Sequence, residues 1–131
     1  MPILIKYNLA LSKNNTDHQI SLIIKGIEDV KGKDINILDL RDIENTICDY
    51  FIVCTGTSNT QVDAIVNSVR KCVSKEVQEK PLHVEGLTNS EWVLMDYVNI
   101  IVHVFQKQVR EHYDIEGLWG DAKLTQIETD Y

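Results

Sequence analysis

Residues 91–105, EWVLMDYVNIIVHVF, read as two strands joined at Tyr97, Val98 and Asn99. Side chains of a strand alternate between faces, so Trp92, Leu94 and Asp96 share one face and Val93, Met95 and Tyr97 the other. In the second strand Ile100, Val102 and Val104 oppose Ile101, His103 and Phe105. A strand apolar on both faces belongs inside a covered sheet, so this hairpin predicts a sheet with helices packed on it. The first strand holds a tryptophan, an aspartate and a tyrosine within six residues, more polar handles than packing requires. Rings that carry an N–H or O–H suit interface anchors. The alternative is that Trp92 closes the core edge while Asp96 and Tyr97 serve the turn.

Upstream, DYFIVCTG at 49–56 is apolar almost throughout and rich in aromatic and β-branched residues, the pattern of a central strand. It stops at Gly56. Ser58 and Gln61 then have capping-box spacing ahead of Val62, Ile65, Val66, Val69, Cys72, Val73 and Val77, an apolar stripe at helical period. An earlier helix starts near Thr16, where Thr16 and Gln19 repeat that spacing and Ile20, Ile23, Ile24, Ile27 and Val30 form the stripe. Lys31 and Gly32 close it. Short strands at 35–40 and 82–85 and a short helix at 107–113 complete an α/β (α+β) class: a mixed β-sheet flanked by helices, whose strand–helix–strand passage crosses right-handedly where strands are parallel. Residues 1–15 are set apart as an N-terminal extension, 16–121 as the domain, and 122–131 as an acidic C-terminal tail with Glu128 and Asp130.

A chain of 131 residues is one domain with room for a real core. Thirteen basic and twenty acidic side chains leave a net charge of −7, which argues against a protein whose own affinity comes from gripping phosphates, so nucleic acid is not expected as a direct ligand, nor direct sequence-specific binding to it, and a basic protein partner is favoured. The start, MPILIKYNLALSKNN, is a poor signal peptide, and no apolar run reaches the roughly 20 residues of a membrane span. Cys48, Cys54 and Cys72 lack paired spacing and lie among apolar residues, so they read as reduced thiols of a cytoplasmic protein, with neither a disulfide nor a metal expected.

Enzymatic chemistry finds little support. The turn Gly56, Thr57, Ser58 opens a helix, where backbone N–H groups hold anions, but it has no following lysine and only one glycine; a helix cap explains it. The strand, Gly-x-Ser turn and helix also resemble the opening of nucleotidyltransferases, which need two carboxylates one residue apart on a nearby strand to hold metal and triphosphate. The alternating acids here are Asp42 with Glu44, Asp114 with Glu116, and Glu128 with Asp130; none follows Ser58 on a strand, and Asp63 stands alone. A nucleophile would be Cys54 or Ser58 with His83, His103 or His112 as base, which sequence cannot bring together. Arg70, Lys71 and Lys75 read as the solvated face of the second helix.

Taken together, DYFIVCTGTSNTQVDAI, the VEG at 84–86, EWVLMDY followed by VHVF, and Arg110, Tyr113, Leu118, Trp119 and Gly120 resemble the ribosomal silencing factors, the RsfS or Iojap family, from about Ile20 to Asp121. The resemblance implies a nucleotidyltransferase-like fold without the catalytic carboxylates, with no catalysis and no cofactor. It implies binding to the large ribosomal subunit through large-subunit ribosomal protein fourteen, which blocks joining of the small subunit and represses translation; mitochondrial relatives act in assembly. Carried over, the partner-binding residues are Trp92, Leu94, Asp96, Tyr97, Asn99 and His103. Where the family usually has Gly-Asp, this chain has Val98 and Asn99. β-Branched Val98 resists positive φ, so a longer or bulged turn is expected, with Asn99 as the tolerant residue. Gly117 is the other departure, expected to loosen the last helix. A nucleotide-binding enzyme using the Gly56–Ser58 turn and a homodimer through the hairpin remain as alternatives.

Overall fold

The structure is a computed structural model that describes residues 15–131. Its elements are α1 (Asn15–Asp29), β1 (Lys33–Asp39), β2 (Tyr50–Gly56), α2 (Asn59–Val77), β3 (His83–Glu85), β4 (Trp92–Asp96), β5 (Ile100–Gln106), α3 (Lys107–Tyr113), α4 (Ile115–Leu118) and β6 (Lys123–Gln126). The N-terminal extension lies outside the described residues, apart from Asn15, which opens α1.

The six strands form one mixed sheet in the order β3-β4-β5-β2-β1-β6. Every residue of β2 is buried, as its unbroken apolar run requires. β2 and β5 run parallel, while the other neighbouring pairs are antiparallel. Ser58 caps α2, its hydroxyl accepting from the Gln61 N–H at 3.1 Å.

Both long helices cover one face of this sheet. The stripe Ile20, Ile23, Ile24 and Ile27 of α1 and Val62, Ile65, Val66, Val69 and Val73 of α2 bury Ile37, Ile52, Cys54, Val93, Met95, Val102 and Val104 beneath them. The helices approach closely at Gly26, where a Cβ would lie 2.8 Å from the Val69 Cα. The Ser68 hydroxyl donates to the Gly26 carbonyl across that contact at 2.6 Å. The opposite face is covered less. Leu38, Leu40, Phe51, Val53, Ile101 and Phe105 are closed by Cys48, Ile115, Val109 and Trp119, which leaves Trp92 and Leu94 half-buried at its margin. Helices do flank the sheet, but only short ones sit on this side.

Three local expectations are corrected. The segment set apart as an acidic tail carries an edge strand, β6, which pairs antiparallel with β1 and buries Ile127 in the core. The hairpin turn is tight, not longer or bulged: Tyr97 N donates to the Ile100 carbonyl at 2.8 Å, leaving Val98 and Asn99 as its two central residues. Positive φ falls on Val98, at 77°, with the Asn99 N–H bonded back to the Tyr97 carbonyl as in a γ-turn. Asn99 is not free to take that role, because its carbonyl accepts from both Asp49 N and Tyr50 N at the entrance to β2. Gly117 does not loosen α3, which already ends at Asp114; it makes room for that residue, whose carboxylate accepts the Gly117 N–H and would clash with a Cβ.

Candidate partner-binding face

On the less covered face the register sets Trp92 opposite Phe105, Leu94 opposite His103 and Asp96 opposite Ile101. The Trp92 ring stacks on Phe105, with centroids 4.9 Å apart and 24° between planes, and lies 4.9 Å from Tyr113 of α3. Its indole N–H donates to His103 Nδ1 at 3.1 Å. The indole is therefore held in one orientation while part of it faces solvent, as a pre-organised anchor must be.

That bond requires a neutral imidazole with Nδ1 as acceptor and its proton on Nε2. Burial supplies the condition, pushing the His103 pKa down to about 4. Nε2 has no hydrogen-bond partner among the described residues. Phe51 meets His103 edge-on at 4.6 Å and Trp119 at 5.7 Å. A continuous aromatic layer thus runs Trp119, Phe51, His103, Trp92, Tyr113. Beside it, Glu85, Gly86, Trp92 and Leu94 line a hollow of about 250 Å³. Leu118 and Ile47, each 77% exposed, add unsatisfied apolar surface on the segments that partly close this face.

The six residues carried over from the resemblance separate by role. Trp92, Leu94, Asp96 and His103 share this face; His103, on the neighbouring strand opposite Leu94, is buried, and the other three are half-buried. Asp96 has a task within the fold, since its carboxylate accepts the Val98 N–H at 2.7 Å and steadies the positive-φ turn. Asn99 is exposed at the hairpin tip. Tyr97 points to the opposite face and is buried in the helix-covered core, where burial pushes its hydroxyl up to about 12. Phe51 and Phe105 support this layer from within, yet in the sequence both read as ordinary core residues, and only the register sets them against His103 and Trp92.

The turn considered for an anion is occupied by the protein itself. Gln61 Oε1 accepts the Thr57 N–H at 2.6 Å, and Gln61 Nε2 donates to the Val30 and Lys31 carbonyls at 3.3 and 3.2 Å, strapping α2 to the end of α1. Of the alternating acids, Glu116 is held by Arg110 and Asn36, and its carboxyl sits below the usual range chiefly because Arg110 donates to it. Among the described residues no three His, Cys, Asp or Glu side chains converge as a metal site would need. Cys54 and His103 lie on opposite faces of the sheet, and burial pushes the Cys54 thiol up to about 12, far from a reactive thiolate. No described helix is long and apolar enough to cross a membrane.

Comparison with known proteins places these features in context. The family model "Ribosomal silencing factor during starvation" matches residues 13–131, including β6. The ribosomal silencing factor of Chromobacterium violaceum is 44% identical over 102 residues, 78% of this chain and 82% of its own. That of Halalkalibacterium halodurans is 35% identical over 109 residues, 83% of this chain and 92% of its own. A crystal structure of a C. violaceum protein superposes with a TM-score of 0.74 at 38% identity, covering 86% of this chain and 92% of that one.

Proposed function

The chain belongs to the ribosomal silencing factor family, and from that premise we propose that its β4–β5 face binds large-subunit ribosomal protein fourteen and so keeps the small subunit from joining. The observation that carries this reading is Trp92: half-buried, stacked on Phe105 and bonded to His103, at the margin of a sheet face that no long helix covers. Leu94 and the hollow beside Gly86 extend the apolar centre, while Glu85 and Asp96 place acid on the same face for a basic partner. Asn99 marks the outer limit of the contact. Tyr97 and His103 act from beneath, holding the hairpin and the indole. Translation is repressed by steric exclusion in the cytoplasm, with no turnover and no bound cofactor.

Trp92→Ala tests the anchor. A buried aromatic hot spot contributes about 2 kcal/mol or more, so binding to large subunits weakens roughly 30-fold while the circular dichroism spectrum is unchanged. Wild-type affinity in the folded variant overturns the proposed anchor. Titration with Mg-ATP is expected to release no heat, and saturable heat would revive the nucleotide reading of the Gly56–Ser58 turn. A homodimer through this face would hide Trp92 and compete with the ribosome, which light scattering at assay concentration detects.

A further inference from the structure

Arg70 and Lys71 are adjacent in α2, Lys75 lies one turn further on, and Lys80 follows the helix end. Together with Ser74 and Pro81 they line one groove of about 700 Å³, and no carboxylate is among its described lining residues. The ion pairs among the described residues join Lys25 to Asp29, Arg41 to Asp39, His83 to Glu85, Arg110 to Glu116 and Lys123 to Asp42; none involves these four cations. Residues 1–14 contain Lys6 and Lys13 and no acid, so they supply no counter-charge. In a chain of net charge −7, the groove is a local reversal of sign. Lys75 in the last turn of α2 is explained by the helix dipole, which favours cations at a C-terminus. The dipole effect fades within one turn and does not account for Arg70, Lys71 or Lys80.

The groove also adjoins the hairpin. Leu82 N donates to the Asp96 carbonyl at 2.7 Å, which fixes Lys80 and Pro81 against the end of β4. Arg70 and Glu79 act in opposite senses on the buried Tyr97 hydroxyl at the same end, and the Glu79 carboxylate, which accepts from Gln19, borders the groove there. The cationic groove and the Trp92 face thus lie on opposite sides of the sheet and meet at the hairpin end.

We propose that this groove takes the phosphodiester backbone of large-subunit RNA without reading its sequence. Arg70 supplies a planar fork suited to phosphate oxygens, the lysines supply point charges, and the Ser74 hydroxyl supplies a neutral donor. An acidic protein segment is the competing occupant, but it offers carboxylates at irregular spacing, whereas a nucleic-acid strand presents one charge per nucleotide and so meets several of these cations in succession. Free RNA is repelled by the overall −7, so the groove engages only after the Trp92 face has docked and raised the local phosphate concentration. The proposal rests on the ribosome-binding reading for the source of the phosphates.

Affinity for isolated large subunits, measured at 50 and 200 mM monovalent salt, tests it on three proteins: wild type, Trp92→Ala, and the combined variant Arg70→Gln, Lys71→Gln, Lys75→Gln, Lys80→Gln. Each phosphate contact contributes about 0.7–0.9 to the salt slope, so wild type should lose roughly 50- to 150-fold more affinity than the combined variant over this fourfold change. Trp92→Ala should weaken binding at both salts and keep the wild-type slope. If the combined variant fails to fold, Lys71→Gln with Lys75→Gln, both exposed, should still give a difference of roughly 10-fold. A photocrosslinking side chain at position 74 should join RNA. Equal slopes in wild type and variant, or crosslinks to protein alone, overturn the proposal while leaving the Trp92 reading intact. Absence of any wild-type binding to the subunit overturns both.

Discussion

His103 makes folding stability depend on pH in a calculable way. In the unfolded chain its imidazole titrates near 6.5; in the fold, burial lowers that to about 4. Between these values the unfolded state binds more protons, so stability is full above the unfolded pKa and is lost as pH falls toward the folded one. A gap of about 2.5 units at about 1.4 kcal/mol per unit gives a total loss of about 3 kcal/mol, of which about 2 is gone by pH 5. At 4% exposure the imidazole is out of reach of solvent screening. Protonation would also place a second donor against the Trp92 indole N–H and break that hydrogen bond. The assay is urea unfolding followed by fluorescence at pH 7.5, 6 and 5, on wild type and His103→Gln. Asp39 and Glu116, each held low chiefly by hydrogen bonds from an arginine, lose their contribution only below the ordinary carboxylate range, and their effect cancels between the two proteins. Wild type is expected to lose about 2 kcal/mol more than the variant between pH 7.5 and 5. Parallel losses in both proteins would refute a buried neutral imidazole at this position.

Other consequences can be measured on the free protein. Val98→Gly should relieve the positive φ of a β-branched residue and raise the melting temperature by about 4 °C, corresponding to about 1 kcal/mol; an unchanged or lower value would deny strain at the turn. Arg110→Ala leaves the largely buried Glu116 carboxylate without its bidentate partner and should cost about 3 kcal/mol, with much of that recovered by adding Glu116→Gln. Ile127→Ala should cost about 2–3 kcal/mol by urea unfolding, since β6 and its flank are part of the core; a neutral result would return residues 122–131 to the status of a tail.

Where periodicity is strong the fold is legible in the sequence: the isoleucine stripe of α1, the apolar run of β2, the capped α2 and the alternating β4–β5 hairpin all lie where pattern places them. The rest is decided by partners distant in sequence. β6 is four residues long and has too little alternation to announce itself; its identity as a strand comes from pairing with β1. The Val98 turn went the other way from propensity because Asp49 and Tyr50 draw the Asn99 carbonyl into the parallel β2–β5 junction, and Asp96 accepts the Val98 N–H. For the candidate face, alternation correctly grouped Trp92, Leu94 and Asp96. The bond from Trp92 to His103 and the aromatic layer beneath depend on register, which no single strand encodes. Tyr97 shows the same rule in reverse: one residue beyond Asp96, it belongs to the buried face.

The most direct test of the central claim is to mix the purified protein with isolated large subunits, add small subunits under conditions where they normally join, and resolve the products by sedimentation. Wild type should migrate with the large subunit and deplete joined ribosomes, while Trp92→Ala at the same concentration should do neither. Joining that proceeds undiminished with the protein bound to the large subunit would contradict steric exclusion, and failure of the wild type to co-migrate would contradict the proposed partner.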